Sequence, residues 1–118
     1  MAEDRVFKWA DHLKPNEATD EPIRSIVSLT PEAKVQAWTV APGQRLPTHK
    51  HPAGQEVWTV LSGKGEYVVD ASETTRPIAA GDIVVARTGE WHGVLNTGDV
   101  PLVFISLVSP SDAGNEKL

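Results

Sequence analysis

Residues 47–56 read PTHKHPAGQE, and this stretch decides how the rest of the chain is understood. The protein has four histidines, and two of them, His49 and His51, stand one residue apart, with Glu56 five positions after the second. On an extended strand successive side chains alternate faces, so His49 and His51 share a face and Lys50 takes the other. Two imidazoles at i and i+2 are roughly 6–7 Å apart along the backbone. They converge on one ion at about 2.1 Å if the rings tilt toward it. Pro47 and Pro52 bracket the pair and restrict its backbone, which lowers the entropy lost on forming such a site. Gly54 permits a turn, after which Glu56 can return on the adjacent strand as a third and only charged ligand. Of the two other histidines, His92 lies in TGEWHGVLN, at the start of an apolar strand after a glycine turn, where an inward side chain is expected. His12, in the polar DHLKPNE, is expected on the surface.

Working outward, apolar residues recur with a period near two. Segments 23–29, 34–40, 56–61, 65–70, 82–87, 92–96 and 101–108 are short and rich in Val, Ile, Thr and aromatics. Each is bounded by Gly, Pro, Asn or Asp, as strands are. Turn chemistry separates them at Pro42-Gly43, Ser62-Gly63, Gly81-Asp82 and Asn96-Thr97-Gly98-Asp99. This spacing predicts an all-β, antiparallel sandwich or barrel. A short helix is expected only within 9–19, where Pro15 opposes a long one. Residues 1–118 are expected to form a single domain, with 1–22 as an N-terminal arm and 109–118 as a polar, frayed tail.

Composition excludes several function classes. A length of 118 residues suits one domain with a real core. The net charge of −5 and the lack of any basic run give no surface for nucleic acid or an anionic membrane. There are no cysteines, which rules out a disulfide framework, a thiol nucleophile and a thiolate metal site. The acidic MAEDRVFKW start is unlike a secretory signal, and no segment approaches the about 20 apolar residues of a membrane span. A soluble, cytoplasmic protein is expected.

The spacing of the marked residues resembles a known family. Gly43, five residues, His49-Lys50-His51, four residues, Glu56, six residues and Gly63 are similar to the first cupin motif. Gly81, five residues, Arg87, one residue, Gly89, two residues, His92, three residues and Asn96 are similar to the second. The family usually has proline where this chain has Arg87, which either contacts an anionic ligand at the barrel mouth or sits on the surface. The resemblance implies an antiparallel double-stranded β-helix (jelly-roll) barrel of the compact single-domain type. It also implies one divalent transition metal per chain, bound by His49, His51, Glu56 and His92, with one or two open coordination positions. Three neutral imidazoles and one carboxylate around such an ion leave a charge of about +1. The donor set suits Fe, Mn, Ni, Cu or Zn.

Family members with this ligand set include dioxygenases and oxalate decarboxylase, and the scaffold also serves isomerases, lyases and sugar-binding regulators. The expected function is therefore a metalloenzyme acting on a small oxygen-rich metabolite, dioxygenase-like, with Glu56 either anchoring the metal or serving as a base. A non-enzymatic binder or sensor of a sugar or organic acid, or a metal-dependent isomerase or lyase, are the other readings. A homodimer is expected by resemblance, with 23–29 adding a strand across the interface.

Other residues have readings of their own. If Glu56 shares the interior side with Trp58 and Val60, leaving it unpaired there costs several kcal/mol, which a metal ion removes. Gly43, Gly63, Gly81 and Gly89 are expected in turns with unusual backbone angles. Asn96 is expected to satisfy backbone groups in a turn. Gln36, Trp38, Trp58 and Trp91 either line a pocket or fill the core. Gln55 faces either the cavity or the rim.

Overall fold

Alternating burial along the strands builds two facing sheets. The computed structural model describes residues 5–13 and 20–118. A short 3-10 helix, Trp9–His12, precedes strands β1 (Ile23–Leu29), β2 (Lys34–Val40), β3 (Arg45–Lys50), β4 (Gln55–Ser62) and β5 (Lys64–Val68). These are followed by β6 (Thr75–Ala79), β7 (Ile83–Ala86), β8 (His92–Leu95), β9 (Leu102–Ser109) and β10 (Glu116–Lys117). One sheet has the order β1-β2-β9-β4-β7 and the other β10-β3-β8-β5-β6, with every pairing antiparallel. This is the expected double-stranded β-helix. The region 14–19, where a helix was expected to continue, lies outside the described residues. Among those described, no helix is long and apolar enough to cross a membrane.

The interior divides along its length. At one end Val40, Leu46, Trp58, Val60, Tyr67, Ile78, Val94, Leu102 and Phe104 pack into one apolar cluster. The other end also holds buried polar residues, Gln36, His51, Glu56, His92 and Ser106, beside the small apolar Ala37, Ala86 and Val108. β4 bridges the two, because its alternation places Glu56, Trp58 and Val60 on the same inner face.

β6 and β10 were not among the expected strands, and β3 was expected only as the extended stretch about His49 and His51. β6 (TRPIA) is an edge strand, where Pro77 costs no ladder bond on its open side. β3 (RLPTHK) is the one that matters for the site. It pairs with β8 as Arg45↔Leu95 and Leu46↔Val94, then slips so that His49 faces His92. The irregularity falls at Pro47-Thr48, and Pro47 has no N–H to give the ladder. Since a one-residue slip reverses which face a side chain takes, this bulge puts His49 on the side that Leu46 occupies before it. Gly93 lies opposite, where a Cβ would come within 2.8 Å of the Leu46 carbonyl oxygen.

The expected frayed tail over 109–118 is corrected by packing. Ala113 is buried, and its carbonyl accepts from the Ala53 N–H at 2.9 Å. β10 then pairs with β3 as Glu116↔Lys50 and Lys117↔His49. Gly54 makes this possible, since a Cβ there would lie 2.6 Å from the Ala113 Cβ. The expectation failed because the segment is held by backbone bonds and close approach, which polar side chains do not advertise. The 23–29 strand pairs with β2 and forms the edge of its sheet.

Candidate metal centre

Four side chains from separate strands meet at the polar end. One ligand atom each from His49, His51, Glu56 and His92 all lie within 4.8 Å of one another. His49 comes from the end of β3, His92 from the start of β8 opposite it, and Glu56 from β4 of the facing sheet. His51 follows β3 directly, and its carbonyl accepts from the Gly89 N–H at 3.0 Å, which ties the second glycine motif to the first. Gly89 makes that bond at a φ of 77°, which a side chain would resist.

The imidazole tautomers are set by main-chain oxygens. His49 Nδ1–H donates to the Pro47 carbonyl at 2.8 Å, His51 Nδ1–H to the Gly114 carbonyl at 2.6 Å, and His92 Nδ1–H to the Glu90 carbonyl at 3.4 Å. A carbonyl only accepts, so each neutral ring keeps its lone pair on Nε2. Yet His51 Nε2 is 2.8 Å and His92 Nε2 is 2.9 Å from the same atom, Glu56 Oε1. Lone pairs facing a carboxylate oxygen at that range repel unless a cation lies among them. Protons on two neighbouring rings or one metal ion supply it. Two ligands each about 2.1 Å from one ion, at right angles, stand about 3 Å apart. The observed spacings fit a metal, and so does the pattern of outer hydrogen bonds that metal-binding histidines make.

The carboxylate is held as firmly. Glu56 Oε2 accepts from Trp58 Nε1–H at 2.7 Å and from Ser106 Oγ–H at 2.6 Å. Only Oε1 is left to face the histidines. Burial alone would push the Glu56 carboxyl up, but the bonds from His51 and His92, the charge of His92 and the Ser106 hydroxyl together outweigh it and hold the group well below the usual carboxylate range. His51 is raised above the ordinary imidazole value by its bond to Glu56, against the effect of burial. His49 is lowered, first by burial and then by the charge of His92. The four groups thus form a candidate site for one divalent metal per chain, as the spacing in the sequence implied.

The remaining candidates lie elsewhere. His12 is not in the cluster; its ring meets the Phe7 ring edge-on at 6.0 Å. Arg87 is exposed, 3.7 Å from Glu90, so the surface reading holds for it. Trp58 is core, stacked on Phe104 at 4.0 Å. Trp91 carries Lys50 over its ring at 4.6 Å. Trp38 is half-buried and lines a cleft with His49. Gln55 is exposed at the rim. Asn96 is buried, donates to the Val40 and Val100 carbonyls and accepts from the Gly98 N–H. Ser106 was missed: its only sequence signal is a hydroxyl on the inner face of the otherwise apolar LVFISLV.

Residues 36–108 match the family model described as a cupin domain. The chain belongs to the cupin family. A crystal structure of an uncharacterized conserved protein with a double-stranded β-helix domain, from Klebsiella pneumoniae, superposes with a TM-score of 0.89. It is 38% identical, over 98% of this chain and 97% of that one. Among curated relatives, the "Oxalate-binding protein" of Thermotoga maritima is 33% identical over 57% of this cupin and 54% of its own length. A gentisate 1,2-dioxygenase of Haloferax is 30% identical over 80% of this chain but 28% of its own. This cupin thus spans about half the length of the first of these relatives and under a third of the second.

Proposed function

We propose that the protein is a metal-dependent oxidoreductase, dioxygenase-like, acting on a small oxygen-rich metabolite. The observation that carries this reading is the convergence of three imidazoles and one carboxylate, whose ligand atoms, one each, lie within 4.8 Å of one another. The similarity to a gentisate 1,2-dioxygenase supports the reaction class. A bound divalent ion would supply Lewis acidity and open positions for oxygen ligands. His49, His51, His92 and Glu56 would hold it. The Pro47, Gly114 and Glu90 carbonyls keep the three rings in the ligating tautomer. Trp58 and Ser106 keep Glu56 presenting a single oxygen. Glu56 acts here as an anchor rather than as a base, because detaching it strains the two hydrogen bonds that hold Oε2.

Loading the chelator-treated protein with Fe(II), Mn(II), Ni(II) or Zn(II) and recording oxygen uptake with enolic and dicarboxylic compounds tests this. Uptake with a redox metal and none with Zn(II) is expected. Tight binding without turnover under every redox metal overturns it in favour of the second reading, a binding module, which the oxalate-binding relative favours.

The outer face of the first sheet supports pairing of two copies. Val35, Leu107, Val57 and Val85 fall in one row across β2, β9, β4 and β7. Ile83 and Val85 are 65% and 47% exposed there, more apolar surface than a lone sheet face needs to show. Light scattering is expected to give twice the chain mass, and Val85→Glu the mass of one chain. A single chain mass for the unaltered protein rejects the pairing.

A further inference from the structure

A cleft of about 350 Å³ opens between β1 and β2 on one side and β3 and β10 on the other. His49 of the metal centre lines it, together with Arg24, Trp38, Arg45, Lys117 and Glu21. In a chain of net charge −5, this mouth carries an excess of positive charge. Arg45 is already committed, since it bonds both Glu73 and Thr48. Arg24 is not: it makes no ion pair with a carboxylate among the described residues.

Arg24 is nevertheless held in place. Its Nη1 donates to Gln36 Oε1 at 3.0 Å, and its guanidinium lies 6.0 Å from the Trp38 ring centroid. Both supports run back to Glu56. Gln36 Nε2–H donates to Ser106 Oγ at 3.4 Å, and Ser106 donates to Glu56. Trp38 is stacked at 20° on Phe104, Phe104 at 21° on Trp58, and Trp58 donates to Glu56. Gln36 and Ser106 are buried amid apolar neighbours, a setting in which polar side chains are costly unless they serve one another. Trp38 Nε1–H is the buried side-chain donor among the described residues that has no partner.

We infer that Arg24 is the anion receptor of this cleft and that the ligand it takes is a small carboxylate, reaching from Arg24 toward His49. Arginine suits the task because its planar fork takes both carboxylate oxygens, and only one of its five N–H groups is spent on Gln36. The Gln36 bond, with the Trp38 ring alongside, holds the fork before the ligand arrives, so less ordering is lost on binding. The inference rests on the metal-site reading for where the rest of the ligand points, and it narrows the substrate to an acid.

Calorimetric titration with benzoate and its uncharged isostere benzamide tests it, on both chelator-treated and zinc-loaded protein. Benzoate is expected to bind at least about tenfold more tightly than benzamide, and Arg24→Gln to remove that advantage. Arg24→Lys, which keeps the charge and loses the fork, is expected to fall between. Zinc content and melting temperature of Arg24→Gln are expected to match the unaltered protein, which separates loss of the receptor from loss of the fold. Equal affinity for the two probes, an Arg24→Gln variant that binds benzoate normally, or no benzoate binding at all overturns the inference. Each result is read on the metal-free protein as well, so a failure of zinc to load bears on the metal centre alone and the role of Arg24 is still decided.

Discussion

The two sheets hold their shares of the centre by different means. The β10-β3-β8-β5-β6 side supplies the histidines, and each ring is oriented by a main-chain carbonyl: Pro47, Gly114 or Glu90. The β1-β2-β9-β4-β7 side supplies Glu56, which is oriented by two side chains, Trp58 and Ser106. A carbonyl is present whatever residue carries it, so substitution cannot readily remove the histidine supports. The carboxylate supports can each be deleted by one substitution. The difference predicts that the site is fragile on the Glu56 side and tolerant on the histidine side, the ligands themselves excepted.

The largest effect should come from the ligands. His92→Ala or His51→Ala is expected to lower metal affinity by more than about a hundredfold, beyond the range typical of outer hydrogen-bond partners. Metal content after dialysis reads this, and near-full occupancy in either variant would break the comparison at its root. Next come Ser106→Ala and Trp58→Phe, each expected to weaken metal binding by about 10–100-fold. Each should also cost the metal-free protein about 1–3 kcal/mol, since a buried carboxylate oxygen loses a donor. A variant of Glu90, whose side chain is exposed and whose carbonyl does the orienting, should bind metal normally. If Glu90→Ala weakened binding as much as Ser106→Ala, the contrast between the sheets would be wrong.

Removing residues 114–118 is the exception that sharpens the rule, because it deletes a carbonyl. Without Gly114 the His51 ring loses its orienting acceptor, and β10 no longer covers β3. An affinity loss of about tenfold is expected by metal titration, with His92 and Glu56 unchanged.

The smallest effect is on pH. Ligation needs neutral imidazole, so metal affinity should fall as pH drops through about 6. His51, raised above 6.5 by Glu56, begins to compete for protons above that value, whereas His49, lowered by burial, competes only below it. The decline should therefore be broad rather than a single step. Glu56 is lowered from 4.5, so its contribution to the metal-free fold is complete above that pH and is lost as pH falls toward the lowered value. Glu56→Gln should flatten that acid limb in a melting series. Metal content that stayed constant to pH 4 would deny the histidines their role.

Much of this was legible in the sequence, for reasons that are local. Glu56, Trp58 and Val60 announce a shared inner face through a two-residue period, and the glycine and histidine spacing carries the family resemblance. What could not be read is what depends on backbone rather than side chains. The bulge at Pro47-Thr48 that turns His49 inward, the Gly114 carbonyl on His51 and the β10 pairing leave no apolar pattern behind. Ser106 hid in a strand of hydrophobic residues. Nothing in the sequence singles out Arg24, and only the fold brings it beside Trp38 and the cleft of His49.

The most direct test is an anomalous diffraction map of crystals soaked in Mn(II) or Zn(II). One peak per chain is expected, about 2.1 Å from the Nε2 atoms of His49, His51 and His92 and from Glu56 Oε1, with Glu56 Oε2 still bonded to Trp58 and Ser106. A peak bound elsewhere, or through Nδ1 of any of the three rings, would contradict the account.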